Sequence, residues 1–413
     1  MKTPKRGSII LGAAAAVLAM LTGCTKDGGS QGDSSRMKVG LVTDVGGRGD
    51  KSFNDSALRG LENWAADMEY VSGGYRPLDA GRRAASIPKE LAEQNIVPLE
   101  VQPMVLHAKQ QEDYESNLQL LVDNGAGLSI GVGFMLENAV ESAAKKNPGA
   151  RFILVDSPIL SASGQAYELP NVATVTFREQ EGAFLVGAIA GLASETGKIG
   201  FVGGMQLPLI KRFEVGFRAG VHAVSPEAAR QMLIAYTGSF NRVDAGKQVA
   251  QDMFAKGVDI AFHAAGGDGL GVIAAAKEAG RMAIGCDSDQ YDVAPDTVLT
   301  SLLKRVDLAV YQAAARAKAG TFKAGNVEMG LAENGLGFAP IRTAKIPADK
   351  REALLKKVGE LEKQIVSGAL RVPATQEELD AFMASNPGAA PAPAPAAAPE
   401  NAPRPDVSPA PAP

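Results

Sequence analysis

The sequence predicts an α/β protein in which parallel strands are covered by helices on both faces. Short apolar runs rich in valine and isoleucine recur along the chain, and both faces of most runs are apolar, as in buried parallel strands. Stretches of helical length separate these runs, which implies βαβ units with right-handed crossovers. The number of runs fits two sheets better than one, so we expect two lobes.

The chain begins with the pattern of a secretion signal. Lys2, Lys5 and Arg6 precede an apolar run at 9–20 that is too short to span a bilayer, and Leu-Thr-Gly-Cys24 follows. This order resembles a bacterial lipobox, which implies a signal peptide at 1–23 and acylation of Cys24. Residues 24–36 would then be a flexible, lipid-anchored linker. The alternative is an ordinary secreted protein with an incidental cysteine.

Composition narrows the remaining classes of function. If Cys24 is acylated, Cys286 has no partner, so stability must come from packing rather than from a disulfide. The formal net charge is -4, from 42 basic and 46 acidic residues, and no basic cluster suggests nucleic-acid binding. The segment 386–413 is dominated by alanine and proline, which predicts a disordered, extended tail.

The elements of the body follow in order from the apolar pattern. Strands are predicted at 39–45, 128–132, 152–156, 173–177, 199–202, 231–236, 259–264, 282–286 and 298–302. Helices are predicted at 52–68, 113–123, 136–146, 179–193, 209–224, 244–255, 270–279, 306–319 and 348–367. The last helix carries a single apolar stripe, which predicts that it packs on a lobe.

The lobes are predicted to be discontinuous in sequence. We assign 37–158 with 290–325 to lobe 1, and 159–289 with 326–385 to lobe 2. The segment 70–106 is less regular, because it holds several prolines and the pair Gly73-Gly74. It must supply the second strand of lobe 1, for which 97–101 is the candidate, and the rest is expected to be a surface insertion.

A glycine-rich turn between the first strand and the first helix is the most informative motif. Residues 38–54 have the sequence KVGLVTDVGGRGDKSFN, which places an aromatic side chain and several hydrogen-bonding groups after a buried strand. Open α/β sheets bind small ligands at this end of their strands. The turn has no evident catalytic nucleophile with a general base beside it. It therefore indicates binding rather than catalysis, and no catalytic residue is assigned.

The same turn resembles the signature of the basic membrane protein family. Further motifs follow in the family's order, at 130–134, 171–181, 200–204, 212–217, 236–240, 265–271 and 285–290. The resemblance covers roughly 38–325. It implies a bacterial lipoprotein of the cell envelope that binds a purine nucleoside for an ABC permease, and a monomer is expected. It also implies two Rossmann-like lobes joined by a hinge, the type I periplasmic binding protein fold, with the ligand in the cleft.

The resemblance assigns roles to particular residues. Phe53 and Phe240 would stack on opposite faces of the base, each from its own lobe. Asp44, Asp287 and Lys304 match ribose-binding positions.

Three further residues complete the implied site. Gly269 matches a backbone contact. Asn54 would either bond the base edge or cap its helix. The loop after Phe134 aligns where the family recognises the purine edge, and there Glu137 and Asn138 are both candidates, with Asn138 taken as the ligand contact.

Two other classes of function compete with this interpretation. The sequence GLGVIA at 269–274 follows a strand and precedes a helix, and Asp287 lies near the distance at which a dinucleotide fold places its ribose acid, so an exported NAD-dependent enzyme is the runner-up. That lobe offers no evident catalytic histidine, and His263 is expected to be a core residue. No metal or cofactor is expected. A nucleoside-sensing surface receptor or adhesin is the third possibility, since the anchor and tail would permit it.

Overall fold

The computed structural model describes residues 36–385, which form two six-stranded sheets and one small hairpin. The predicted signal peptide, the lipidation site Cys24, the linker up to residue 35 and the tail 386–413 lie outside the described residues. Within 36–385, no helix has both the length and the apolar character needed to cross a bilayer.

Strands and helices alternate along most of the chain. The strands are β1 (Lys38–Thr43), β2 (Met68–Val71), β3 (Gly74–Pro77), β4 (Gln102–His107), β5 (Leu128–Val132), β6 (Phe152–Val155), β7 (Val172–Phe177), β8 (Ile199–Gly203), β9 (Leu233–Tyr236), β10 (Ile260–Ala264), β11 (Met282–Gly285), β12 (Val298–Lys304), β13 (Gly325–Met329) and β14 (Leu336–Phe338). The helices are α1 (Phe53–Leu58, continued by a π-helical segment Arg59–Ala65), α2 (Ala80–Ser86), α3 (Asp113–Asp123), α4 (Glu137–Lys146), α5 (Glu179–Ala193), α6 (Pro208–Val224), α7 (Pro226–Arg230), α8 (Val243–Ala255), α9 (Asp268–Glu278), α10 (Val306–Lys318), α11 (Ala348–Val366) and α12 (Gln376–Ser385).

Each large sheet is built almost entirely from parallel strands. The first has the order β13-β7-β6-β5-β1-β4 and is parallel throughout. The second has the order β14-β12-β11-β10-β8-β9, with only β14 antiparallel to its neighbour. Strands such as β5, β8, β10 and β11 are buried along their whole length, because helices cover both faces of the sheet. Every strand predicted from an apolar run is present.

The sheets place three strands differently from the predicted lobe boundaries. β7 lies in the first sheet beside β6, although 159–289 was assigned to lobe 2, and β12 lies in the second sheet beside β11, although 290–325 was assigned to lobe 1. Most of β13, predicted to fall in lobe 2, joins the first sheet. The chain therefore adds β7 to the first sheet before it crosses to the second lobe, and adds β12 to the second sheet before it crosses back. β7 and β12 are almost wholly buried on both faces, so their composition does not reveal which sheet they join.

Lobe 1 consequently comprises 37–177 and 306–329, and lobe 2 comprises 179–304 and 336–385. The chain crosses between them at Arg178, at Arg305 and through 330–335. Helix α10 packs with the core of lobe 1, while α5, α11 and α12 pack with the core of lobe 2. The apolar stripe of α11 is buried there, as its pattern predicts.

The irregular segment 70–106 contains a correction to the strand prediction. The second strand of lobe 1 is β4 at Gln102–His107, not 97–101. Val97 is exposed, and both its N–H and its carbonyl bond the Tyr311 hydroxyl instead of a strand. β4 is an edge strand, which is why it tolerates Pro103 near its start, and this proline obscured it in the sequence.

Candidate functional site

A cavity between the two lobes collects the residues that follow the parallel strands of both sheets. It holds about 570 Å³ of space free of protein atoms, counted out to its mouth and including the open solvent there. Lobe 1 contributes Asp44, Gly46, Asp50, Phe53, Asn54, Gly133, Phe134 and Asp156 to its lining, and lobe 2 with its last strand end contributes Leu209, Ile210, Phe213, Phe240, Ala264, Gly266, Cys286, Asp287 and Lys304.

On the lobe 1 side, the glycine-rich turn is held by hydrogen bonds between close neighbours in sequence. The Asn54 amide donates to Asp44 Oδ1 at 2.7 Å and to Asp50 Oδ2 at 3.0 Å. Asp50 also accepts the backbone N–H groups of Ser52, Asn54 and Asp55, so it caps the start of α1. Burial raises the pKa of Asp44, and it raises the pKa of Asp50 to about 7. The turn is therefore a rigid wall with buried carboxyl groups.

On the lobe 2 side, Asp287 follows β11 with a left-handed backbone, φ +64°. Its Oδ2 accepts the hydroxyl of Ser52 from lobe 1, and its Oδ1 lies 3.5 Å from Cys286 Sγ. Burial raises the pKa of Asp287, although the nearby Lys304 opposes the rise. Burial also raises the pKa of the Cys286 thiol, which keeps it in its unreactive protonated form.

Lys304 lies at the hinge, where β12 ends and the chain crosses to lobe 1. Its ammonium group bonds Asp156 of lobe 1 and, at 3.1 Å, Glu179 of lobe 2. Arg212 bonds the second oxygen of Glu179 at 2.6 Å. Lys304 is only 1% exposed and Glu179 is fully buried, so this pair is removed from water, while Arg212 is partly exposed.

The charges of this hinge cluster perturb each other. Burial tends to lower the pKa of Lys304, but Asp156 and Glu179 raise it above its usual range. Burial raises the pKa of Asp156 to about 6 in spite of Lys304. Burial also tends to raise the pKa of Glu179, but Lys304 and Arg212 hold it below its usual value. The cluster thus keeps Lys304 charged at the base of the cavity.

Aromatic rings from both lobes form the apolar part of the lining. Phe134 of lobe 1 and Phe240 of lobe 2 meet edge to face, with ring centroids 6.1 Å apart. The Phe240 ring lies directly on the backbone of Gly204, where a Cβ atom would be only 2.2 Å from the ring, so a larger residue there would displace it. The Lys304 ammonium lies 5.5 Å from the ring centroids of Phe53 and of Phe213.

The structure brings most of the predicted site residues together. Asp44, Phe53, Asn54, Phe240, Asp287 and Lys304 all line the cavity.

The remaining two, Asn138 and Gly269, do not line the cavity. Asn138 is exposed on α4, and the neighbouring candidate Glu137 binds the Ser157 hydroxyl at 2.8 Å and the Leu160 N–H at 2.9 Å. Gly269 lies in the first turn of α9 against the ring of His263. The cavity is lined by Gly266 instead, because α9 turns the following residues inward to the lobe core.

Several lining residues were missed in the sequence. Asp50 lies in the glycine-rich turn at 38–54, but the sequence assigned it no ligand contact. Asp156 ends a predicted strand, which is a usable signal, but its role depends on Lys304, 148 residues away. Phe134 and Phe213 lie inside recognisable motifs, yet nothing in their spacing distinguishes a lining ring from a core ring.

The glycines of the GLGVIA sequence serve helix packing. A Cβ atom at Gly271 would lie 1.9 Å from the Val243 carbonyl oxygen, so this glycine allows α8 and α9 to approach closely. Asp268, which precedes the motif, accepts the Ser239 hydroxyl and the Arg242 N–H. Neighbouring His263 is fully buried, as expected of a core residue, and burial lowers its pKa to about 4. The motif therefore has a structural explanation that requires no dinucleotide.

Comparison with known proteins agrees with this architecture. A family model described as ABC transporter substrate-binding protein PnrA-like matches residues 37–376. The chain is 33% identical over 353 residues to the ABC transporter nucleoside-binding protein BmpA of Lactococcus lactis, covering 80% of this chain and 90% of that protein. It is 34% identical to basic membrane protein A of Borreliella burgdorferi, covering 84% and 90%, and 37% identical to a CD4+ T-cell-stimulating antigen of Listeria monocytogenes, covering 82% and 89%.

Solved structures give the same result for the fold. A solute-binding protein of an ABC transporter system from Aeropyrum pernix superimposes with a TM-score of 0.65 at 28% identity, covering 85% of this chain and 98% of that chain. One from Conexibacter woesei superimposes with a TM-score of 0.59 at 22% identity, covering 82% and 99%, which bears on the fold alone. The predicted two-lobed, type I periplasmic binding protein fold is confirmed, as is the resemblance to the basic membrane protein family.

Proposed function

Because the chain belongs to the family of PnrA-like ABC transporter substrate-binding proteins, we propose that it captures a purine nucleoside in the cavity between its lobes. A relative with which it shares 33% identity is named as nucleoside-binding. The ligand stabilises the closed arrangement because only that arrangement offers contacts from both lobes. A membrane permease then accepts the nucleoside from the closed protein.

The observation that carries the proposal is that Phe53 and Phe240, from different lobes, line one cavity. Both rings are half-buried, so each keeps a surface available to a ligand. A purine base is a flat π-system, and stacking on one aromatic side chain contributes about 1–3 kcal/mol per base. Two rings from separate lobes would couple base binding to closure.

The polar groups of the cavity suit the hydroxyl groups of a ribose. Asp44 lines the cavity, and its Oδ1 accepts the Asn54 amide and the Gly46 N–H. Among the residues that the structure describes, Asp287 Oδ1 has only the weak thiol contact of Cys286. Lys304 has three N–H donors and uses two of them on Asp156 and Glu179. Carboxylate acceptors and one ammonium donor therefore remain for sugar hydroxyls.

The charge of the lining favours a neutral ligand. Four aspartates and a single lysine line the cavity, and the lysine is already paired. A phosphate group in this water-poor space would meet an excess of carboxylates without a free cation. We therefore propose that the protein takes the nucleoside and discriminates against the corresponding nucleotide.

We also propose where the protein acts and what happens to the ligand. Acylation of Cys24 would anchor it to a bacterial membrane at the cell envelope, where it would act as a monomer beside its permease. The lining offers no nucleophile activated by a base, since the pKa of the Cys286 thiol is raised, and the nucleoside would leave chemically unchanged.

The test uses the soluble protein that lacks residues 1–24. Isothermal calorimetry should show that inosine, guanosine or adenosine binds at least about 100-fold more tightly than its free base, because the base alone leaves buried carboxylates without hydroxyl partners. Nucleoside recovered after incubation should have an unchanged mass. Equal affinity for guanine and guanosine, tighter binding of the 5′-monophosphate, or no binding of any purine nucleoside would contradict the proposal.

A further inference from the structure

A set of hydrogen bonds joins the lobes beside the cavity without lining it. Ser52, which follows the glycine-rich turn of lobe 1, is fully buried against the 286–290 segment of lobe 2. Its hydroxyl reaches Asp287 Oδ2 and lies 3.1 Å from the Cys286 carbonyl oxygen. Since a hydroxyl has one proton, it donates to one of these two oxygens at a time.

Two further bonds run in the opposite direction. The Ser288 hydroxyl donates to the Ser52 carbonyl oxygen at 3.0 Å, and the Gln290 amide donates to the Lys51 carbonyl oxygen at 3.0 Å. Ser288 is 7% exposed and Gln290 is 1% exposed, so water competes little for these bonds. Lys51 has a left-handed backbone, φ +55°. A strained residue of this kind persists only where surrounding contacts hold it.

The orientation of Gln290 follows from its neighbours. The Cys286 backbone N–H can only donate, and it lies 3.0 Å from Gln290 Oε1, which is therefore the acceptor. His263 Nε2 lies 2.9 Å from the same oxygen and must also donate, so His263 carries its proton on Nε2. With its oxygen held twice inside lobe 2, Gln290 presents its NH₂ group to lobe 1 before the lobes meet.

We propose that Ser52, Ser288 and Gln290 are positioning residues that form an interlobe clasp and set how readily the two lobes close. None of them lines the cavity, and each of their interlobe bonds joins two groups of the protein itself. The clasp thus stabilises the closed arrangement of the empty protein, and the ligand adds its own contacts to a closure that is already partly favoured. Its effect on ligand affinity rests on the proposed function, whereas its effect on closure does not.

The experiment compares Ser52→Ala, Ser288→Ala and the double variant with the wild type. Ser194→Ala is the matched control, because the Ser194 hydroxyl donates to Asp259 at 2.8 Å wholly within lobe 2. The distance between the lobes is measured without ligand by pulsed electron resonance, with spin labels on cysteines introduced as Glu112→Cys and Lys256→Cys, both exposed positions. Every protein compared also carries Cys286→Ser, because Cys286 lines the cavity and would become accessible to the label in open forms.

Loss of the clasp should shift the ligand-free distance distribution towards open forms. Each lost hydrogen bond should change the closed population, and raise the dissociation constant for the best nucleoside, by about 5-fold. Ser194→Ala should lower the urea midpoint without moving either quantity. The proposal is overturned if the double variant keeps both the distance distribution and the dissociation constant of the wild type. It is also overturned if Ser194→Ala moves them equally.

The measurement separates this proposal from the proposed function. If the wild type binds no nucleoside, the function fails, but the ligand-free distances still decide whether the clasp holds the lobes together. If Ser52→Ala lowers the yield of folded protein, Ser288→Ala still gives the answer, because within residues 36–385 Ser288 Oγ bonds only the Ser52 carbonyl oxygen.

Discussion

The glycine-rich turn of lobe 1 and the hinge cluster around Lys304 are both buried and polar, but they are assembled differently. In the turn, Asn54 bonds carboxylates 10 and 4 residues away. In the hinge, Lys304 bonds carboxylates 148 and 125 residues away, one from each lobe. The turn can form as soon as lobe 1 folds, whereas the hinge cluster exists only when the two lobes are joined. The turn forms one wall of the cavity, and the hinge cluster connects the two lobes that close around it.

The strongest test of this difference is Lys304→Met. The change leaves Asp156 and Glu179 buried without their shared cation, which should lower the free energy of unfolding by about 3–5 kcal/mol. Urea unfolding at neutral pH measures it. Lys247→Met is the control, because Lys247 forms an exposed ion pair with Glu278, and its loss should cost less than about 1 kcal/mol. Similar losses in the two variants would show that the hinge cluster contributes no special stability.

Removal of a ring from either lobe should weaken the ligand rather than the fold. Phe53→Ala and Phe240→Ala should each raise the dissociation constant for the preferred nucleoside by about 5- to 150-fold, the equivalent of one lost stacking contact. Calorimetry on the soluble protein measures both, with urea midpoints as the control for folding. An unchanged dissociation constant in one variant would remove that phenylalanine from the site and leave the other lobe as the sole base-binding surface.

The same contrast explains what the sequence could predict. Apolar runs determine buried parallel strands, so the nine strands predicted from such runs are present, whereas the strand expected at 97–101 is not. The turn residues Asp44 and Asn54 could be assigned together because they are neighbours in one motif. The partners of Lys304 were missed, since nothing local to Asp156 or Glu179 indicates that a lysine from another crossing lies between them. The predicted lobe assignments of β7 and β12 were wrong for the same reason. Which sheet a strand joins depends on pairing between segments that are distant in sequence.

Both regions should be sensitive to pH, because the turn holds Asp50, whose pKa is raised to about 7, and the hinge holds Asp156. The pKa of Asp156 is raised by burial from 3.8 to about 6, so the folded chain holds this proton more tightly than the unfolded chain. Its contribution to stability is therefore full below about pH 4 and is lost as the pH rises through about 6. Asp156→Asn keeps an acceptor for Lys304 but cannot titrate.

Unfolding free energies of both proteins should be measured at intervals from pH 4 to pH 8. The free energy of unfolding of the wild type minus that of Asp156→Asn should fall as the pH rises, with most of the change between pH 4 and pH 6.5. A difference that stays constant, or that rises with pH, would show that Asp156 titrates near or below its ordinary value and that Lys304 dominates over burial.

The sequence analysis predicts that two asparagines, Asn54 and Asn138, contact the ligand. The smallest expected effect distinguishes between them. Asn138 is exposed on α4, so Asn138→Ala should leave the dissociation constants for inosine, guanosine and adenosine within about 2-fold of the wild type. Asn54→Ala removes the amide that joins Asp44 to Asp50, and should weaken all three together because it loosens the wall rather than a base-specific contact. If Asn138→Ala instead changes the order of preference among the nucleosides, α4 must move towards the base on binding, and the lobe 1 wall is less rigid than its local hydrogen bonds indicate.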